Sequence, residues 1–364
     1  MKILINSRAY IGEQYRDKIG ELAKFKDVEI FLVVPHKFLN KDFEGKISNK
    51  YDTIIKKLYL QNSYHIAFYS GVKNIIKSIK PDIVHIEDEP FNLSTFQWVK
   101  AAKKIGSKII FFTWQNIKKV YPPPFSLFNR YILKNSDYAI VGNLDGAGIL
   151  KQFGYNKPIS IIPQNGVNGN IFSPSKIKPH KSKIFRIIYT GRLVKEKGIG
   201  TLIDAMKILN KKFCLDIIGN GSYKKEMVTK IKKLKLDNIK IIGGIPSYNV
   251  PKYIKRSSAL ILPSITTKRW KEQFGRVLIE AMACEVPVIG SNSGEIPNVI
   301  GDCGLIFKEG DSNDLARKIE LIYKNKSLAT KLGKIGRKRV VKNFTNRIIA
   351  KRTYDIYKKL MQVD

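Results

Sequence analysis

Phe185-Arg-Ile-Ile-Tyr189-Thr-Gly191-Arg192-Leu-Val-Lys195-Glu-Lys197-Gly198 reads as a β-strand that turns at a glycine and enters a helix over 199–209. The run 185–190 is strand-sized and rich in β-branched and aromatic residues, and Gly191 lets the chain leave the strand without a side chain in the way. The helix start offers unpaired N–H groups and the positive end of the helix dipole. Arg192 and Lys197 add a forked and a mobile cation at the same spot, which together suit a diphosphate. The alternative is a surface turn with solvated cations in a lysine-rich chain.

Outward from this segment the same alternation repeats on both sides. Ahead of it, strands are expected at 2–6, 28–34, 82–87, 108–113, 138–142 and 159–163; after it, at 215–219, 239–242, 259–263, 286–290 and 304–307. Short β-branched runs alternating with amphipathic helices signify parallel sheets covered by helices, an α/β class. Two such series side by side predict two doubly wound, Rossmann-like domains, as does a length of 364 residues, long for one core. Asn165-Gly-Val-Asn168, with Pro174 and Pro179 beyond it, reads as the linker. The domains are therefore placed at 1–172 and 173–344. The tail from Ser327 to Gln362 reads as helical, and its last part, 345–364, as a helix returning to the first domain.

A hydrophobic content of 43% marks a globular chain, and its apolar runs are strand-sized, too short to span a bilayer. The start, Met1-Lys-Ile-Leu-Ile-Asn6, turns polar after one short strand and lacks a cleavage pattern, unlike a signal peptide. Cys214, Cys284 and Cys303 are odd in number and form no Cys-x-x-Cys pair, so a reducing cytoplasm is expected and no zinc site is implied. The net charge is +36, carried by both halves as scattered pairs such as Lys56-Lys57 and Lys232-Lys233, with one tighter knot at Arg337-Lys338-Arg339. Two readings stand: a compositional bias of solvated lysines, or attraction to anionic lipid, a phosphorylated acceptor or, less readily, nucleic acid.

Chemistry is sought in the loops after the strands, because ligands of open α/β sheets sit outside the carboxyl ends. Ile217-Ile-Gly219-Asn220-Gly221-Ser222 is either a close backbone approach to a nucleotide or a tight turn. The most informative segment is Leu262-Pro-Ser264, then Trp270-Lys-Glu272-Gln273-Phe274-Gly275-Arg-Val-Leu278-Ile-Glu280. Glu272 lies in a loop, and Gly275 permits a close turn into a helix carrying Glu280. Carboxylates there can accept hydrogen bonds from sugar and ribose hydroxyls, each charged bond contributing on the order of 1.5–3 kcal/mol. The alternatives are a helix N-terminal acid favoured by the dipole and a solvated side chain.

Gly191-Arg192 with Lys197, Glu272-x7-Glu280, Val286-Pro-Val-Ile-Gly-Ser291 and Gly294-Glu-Ile-Pro297 resemble, in order, the GT-B glycosyltransferases of family 4 (glycosyl transferases group 1), which retain the anomeric configuration. The resemblance implies two Rossmann-like domains facing a central cleft, an N-terminal acceptor domain and a C-terminal donor domain. It assigns Arg192 and Lys197 to the leaving diphosphate, Glu272 and Phe274-Gly275 to the donor sugar, and Glu280 to the ribose. Gly191, Asn220, Gly221, Gln273 and Leu278 complete the donor side. Gly12, in Ile11-Gly12-Glu13, occupies the loop that approaches donor phosphate and acceptor, with one glycine where many members have two.

The first domain departs further from the family. After the strand at 108–113, where many members carry a histidine, the chain reads Thr113-Trp114-Gln115-Asn116, so an amide or the indole replaces that histidine or the role is absent. Glu87, Asp88 and Glu89 either face the acceptor or offset nearby lysines. His85 beside them reads as structural. No Asp-x-Asp is present and the histidines (36, 65, 85, 180) are scattered, so neither metal nor cofactor is expected. The expected activity is retaining, metal-independent transfer from a UDP- or GDP-sugar to a hydroxyl, in glycolipid or surface polysaccharide synthesis. A nucleotide-sugar epimerase, a phosphorylase and a basic nucleic-acid-binding protein are the rivals. Tyr51–Leu60 and Tyr121-Pro-Pro-Pro-Phe125-Ser-Leu-Phe128 are candidates for peripheral contact with the inner membrane face, or are ordinary helix and loop packing.

Overall fold

The structure, a computed structural model, describes residues 1–175 and 184–362; Pro179 of the expected linker and His180 lie outside them. The chain forms two units, Met1–Gly166 with Asn346–Asp364, and Val167–Thr345.

In the first unit, β1 (Lys2–Asn6), β2 (Glu29–Pro35), β3 (Asp52–Lys56), β4 (Ile83–Ile86), β5 (Lys108–Thr113), β6 (Tyr138–Val141) and β7 (Ile159–Ile161) form one sheet, ordered β7-β6-β5-β4-β1-β2-β3. Every pairing is parallel. Alternate side chains leave opposite faces, as the two-residue strand period requires. Leu4, Val84, Ile109 and Phe111 enter one core, and Ile3, Ile5, Ile83 and Ile110 the other.

The second unit repeats the plan with β8 (Phe185–Thr190), β9 (Phe213–Ile218), β10 (Ile239–Gly243), β11 (Ala259–Leu262), β12 (Val288–Ser291) and β13 (Leu305–Phe307). Their order is β10-β9-β8-β11-β12-β13, again parallel. In both sheets the chain builds outward on one side of its first strand, then crosses to the other. The loops after β1 and β4 therefore diverge, as do those after β8 and β11, and such reversals leave room for a ligand.

Three features differ from the sequence expectation. Tyr51–Leu60 contains the edge strand β3, and Leu58–Tyr59 pairs antiparallel with Phe68–Tyr69. The half-exposed Asp-Thr-Ile-Ile-Lys of β3 lacks the apolar run of a central strand. The tail is two helices, Lys326–Asn343 and Asn346–Met361, interrupted where Thr345 bridges to Val167 and the Val167 N–H donates to Phe344 O at 2.9 Å. These contacts, with the burial of Phe172, place the divisions at 166/167 and 345/346, where the sequence reading has 172/173 and 344/345. The last helix buries Ile349, Ala350, Ile356 and Tyr357 in the core of the first unit. No helix among the described residues is long and apolar enough to cross a membrane.

Candidate active site

In the second unit the loop after β8 is held by its neighbours. Gly191 N–H donates to Ile218 O at 3.0 Å, Leu193 N–H to Asn220 O at 2.9 Å, and Tyr189 Oη–H to Arg192 O at 2.8 Å. A Cβ on Gly219 would stand 1.8 Å from Gly191 O, and one on Gly221 2.2 Å from Leu193 O. The Gly-x-Gly pair therefore admits the backbone of the neighbouring loop, the tight-packing alternative. Asn220 and Gly221 themselves are exposed. Gly198 has φ +65°, and a Cβ there would fall 1.7 Å from Pro263 O, so only glycine lets the Ile199–Ile208 helix begin against the loop after β11. No side chain caps that helix start.

Lys197 and Glu272 meet at this reversal. Lys197 Nζ lies 2.6 Å from Glu272 Oε2, which also accepts the Ser264 hydroxyl at 2.6 Å. Glu272 is 6% exposed, and Lys197 Nζ stands 5.2 Å from the centre of the Trp270 ring. The Gly294 segment closes over Glu272: Glu295 N–H donates to Glu272 O at 3.0 Å, and a Cβ on Gly294 would come within 2.1 Å of that oxygen. Arg192 is exposed, with no carboxylate at ion-pair distance among the described residues. Buried carboxylate, half-buried ammonium, exposed guanidinium and uncapped helix start thus lie on one loop set.

The helix begins at Arg276 behind Gly275, at φ +81°, so Glu280 sits in its second turn. Glu280 pairs with Arg276 at 3.0 Å; burial raises its pKa and Arg276 opposes the rise. Gln273 is exposed, whereas Phe274 is buried against Phe344 and Leu278 is wholly buried.

In the first unit the loops diverging after β1 and β4 border a cavity of about 310 Å3, reached also by Gly12, Trp114 and Gln164. Its acids have different partners. Glu87 is bound by Lys18 and the Tyr10 hydroxyl; burial pushes its pKa up, but Lys18, His85 and Tyr10 outweigh that and leave it below the usual range. Asp88 takes Arg8 through two oxygens, both at 2.6 Å, and accepts from Asn92 and Ser94. Glu89 accepts from the Thr113 hydroxyl at 2.5 Å and the Trp114 N–H at 2.9 Å, and burial raises its pKa to about 7. Trp114 Nε1–H donates to Gln164 Oε1 at 3.1 Å; a Cβ on Gly142 would lie 2.1 Å from the Trp114 ring. Gln115 is buried and donates to Ile117 O, Asn116 is buried beside it, and neither lines the cavity. His85 is buried with Nδ1 2.7 Å from the Tyr357 hydroxyl, and burial lowers its pKa to about 4, consistent with the structural reading.

Arg8, Ser264, Gln164 and Gly142 escape sequence reading. Arg8 follows β1 as Arg192 follows β8; Gln164 and Gly142 are placed by contacts distant along the chain, and Ser264, in a segment the sequence singles out, by its bond to Glu272 eight residues on.

The family described as glycosyl transferases group 1 matches residues 171–339. The chain is 27% identical over 349 residues to the capsular polysaccharide biosynthesis glycosyltransferase CapM of Staphylococcus aureus, covering 88% of this chain and 89% of that one. Sucrose-phosphate synthase of Thermosynechococcus elongatus superposes with a TM-score of 0.80 at 20% identity, covering all of both chains. HepE of Anabaena, solved in complex with UDP, gives 0.76 at 15% identity, covering 98% of this chain and 99% of that one. The two parallel α/β units have the GT-B fold of these structures.

Proposed function

We propose, for a glycosyltransferase whose group 1 domain spans residues 171–339, that the second unit binds a UDP- or GDP-sugar and transfers the sugar, with retention, to a hydroxyl acceptor held by the first. The observation that carries this reading is the meeting of Lys197 with Glu272 beside Arg192, where the strand order of the second unit reverses. In this reading Arg192 and Lys197 hold the leaving diphosphate, and Glu272 accepts a hydroxyl of the transferred sugar while fixing Lys197. The lysine ammonium has three N–H donors, so one bond to Glu272 leaves others for phosphate. Glu280 takes a ribose hydroxyl. The two cations and the uncapped helix start supply the positive charge that a departing diphosphate needs, so the proposal includes neither metal nor cofactor. HepE, solved with UDP, and CapM, named for capsular polysaccharide synthesis, support a nucleotide-sugar donor and a polysaccharide product.

We further propose that the protein works in the cytoplasm at the inner face of an anionic membrane. An open 570 Å3 depression on the first unit is lined by Lys119, Arg130, Lys134 and Lys157 without a carboxylate, beside the exposed Val120 and Leu127. Cations flanking apolar tips suit anionic headgroups over acyl chains.

Thermal melting with UDP, GDP, ADP and dTDP tests the donor half. One of UDP and GDP should raise the melting temperature in wild type and much less in Glu280→Ala. No shift from any of them contradicts the reading.

A further inference from the structure

The cavity of the first unit combines two kinds of lining. Phe38, Tyr64, Phe112 and Trp114 present rings, and Glu87, Asp88 and Glu89 present carboxylates. The carboxylates are not equivalent. Lys18 neutralises Glu87 and Arg8 neutralises Asp88, whereas Glu89 has no cation at ion-pair distance among the described residues. The Arg8 guanidinium is itself engaged: Nη2 donates to Asp88 Oδ1 and Nε stands beside Asp88 Oδ2, both at 2.6 Å, Nη1 donates to Tyr64 O at 2.7 Å, and the Phe38 and Tyr64 rings lie 4.6 and 4.8 Å from its central carbon. What the cavity offers a ligand is aromatic surface and a carboxylate with accepting capacity, since the Gln164 amide accepts from Trp114 and donates to Glu87 O. Once the two ion pairs are set aside, Glu44 and Glu89 face Lys41, so nothing concentrates positive charge there. An anionic group would meet repulsion, whereas a sugar ring places C–H faces on aromatic rings and O–H donors on a carboxylate.

We infer that this cavity takes a neutral saccharide as acceptor, and that Glu89 binds and orients one of its hydroxyls by accepting a hydrogen bond. The inference rests on reading the chain as a glycosyltransferase and adds the acceptor's chemical class. It separates Glu89 from its neighbours: Glu87 and Asp88 hold the walls, and Glu89 touches the ligand. Asp88, Arg8, Tyr64 and Tyr121 are the ionisable groups acting on Glu89, and its carboxyl loses its proton near neutrality. Saccharide binding should therefore strengthen as pH rises through about 7, because an ionised carboxylate is the stronger acceptor.

Trp114 makes the cavity its own probe. The full chain is titrated with methyl β-glucopyranoside, methyl β-galactopyranoside and methyl N-acetyl-β-glucosaminide, and separately with glycerol 3-phosphate, following tryptophan emission. At least one neutral glycoside should saturate the signal, more tightly at pH 8 than at pH 6, and Trp114→Phe should abolish the change. Glu89→Gln should weaken binding roughly 10- to 100-fold, the loss of a charge-assisted bond, and flatten the pH dependence. The inference is overturned if glycerol 3-phosphate alone binds, if no probe binds, or if Glu89→Gln binds glycosides like wild type. UDP and GDP titrated in parallel separate two failures. A chain that binds a nucleotide but no glycoside sinks only this inference, and one that binds glycosides but neither nucleotide sinks the donor reading instead.

Discussion

Lys197 Nζ stands 2.6 Å from Glu272 Oε2, and the Ser264 hydroxyl meets the same oxygen at 2.6 Å. The pair is largely withdrawn from water, whereas Arg192 beside it is exposed. The two cations assigned to the diphosphate should therefore fail differently. Arg192→Ala should lower kcat on the order of 100-fold, as loss of a donor to developing charge does, and leave the melting temperature nearly unchanged. Lys197→Ala should lower kcat and also cost roughly 3 kcal/mol of stability, because it removes the cation paired with a buried carboxylate. Melting curves and turnover on both variants check this; two variants of equal stability would contradict it.

Glu280 is buried and tied to Arg276, with burial raising its pKa. Glu280→Ala should weaken affinity for the free nucleoside diphosphate about 10-fold or more, the loss of a charged hydrogen bond, with a smaller effect on kcat. Calorimetry with UDP and GDP measures it, and unchanged affinity for whichever binds removes Glu280 from the ribose.

Gly142 makes room for Trp114. Gly142→Ala places a Cβ 2.1 Å from the ring, so the indole must leave its bond to Gln164. Overpacking of this kind costs about 1–3 kcal/mol. Saccharide binding should be lost while nucleotide binding, proposed for the second unit, persists. Loss of both would show that the defect is not confined to the cavity.

Two ionisable groups of the first unit, His85 and Glu89, give opposite slopes of stability against pH. His85, lowered from 6.5 to about 4, binds its proton less readily folded than unfolded, so its contribution is full above about 6.5 and is lost as pH falls toward 4. Glu89, raised from 4.5 to about 7, keeps its proton in the folded chain after the unfolded chain has lost it, so stability falls as pH rises from about 4.5 to 7. The slopes oppose each other between about 4.5 and 6.5. Glu89→Gln removes one of them, so its stability should rise with pH more steeply than that of wild type over this interval. Urea melts at successive pH values read the difference, and parallel curves would contradict the assignment.

The fold was legible where strands are central and continuous. Lys108–Thr113 and Phe185–Thr190 are found with the bounds expected of them, because each carries a run of consecutive buried residues, Ile109–Thr113 and Ile187–Thr190, that leaves both faces of the strand covered. The edge strand Asp52–Lys56 was hidden because an edge tolerates lysine and exposure. In the site, Arg192, Lys197 and Glu272 could be named from loop positions and Glu280 from the helix that follows Gly275. The bond that joins Lys197 to Glu272 spans 75 residues, and that from Arg8 to Asp88 spans 80, so neither pairing is visible in local pattern. The same holds for the three adjacent acids: their spacing is identical, and only Lys18 and Arg8, folded in from elsewhere, distinguish Glu89 from the other two.

The membrane proposal has its own test. The protein should sediment with vesicles containing anionic lipid at low salt, be released at high salt, and bind less after Val120→Ser with Leu127→Ser. Equal binding to neutral vesicles, or salt-independent binding, would contradict it.

Transfer of a sugar from a nucleotide-diphosphate donor is read out by release of nucleoside diphosphate. The purified chain is incubated with UDP- and GDP-sugars and a mixture of neutral saccharide acceptors, and released UDP or GDP is quantified against Arg192→Ala. The account predicts acceptor-dependent release from one donor class, falling about 100-fold in the variant. Conversion of the nucleotide sugar without an acceptor, turnover that requires inorganic phosphate, or equal release by wild type and Arg192→Ala would contradict it.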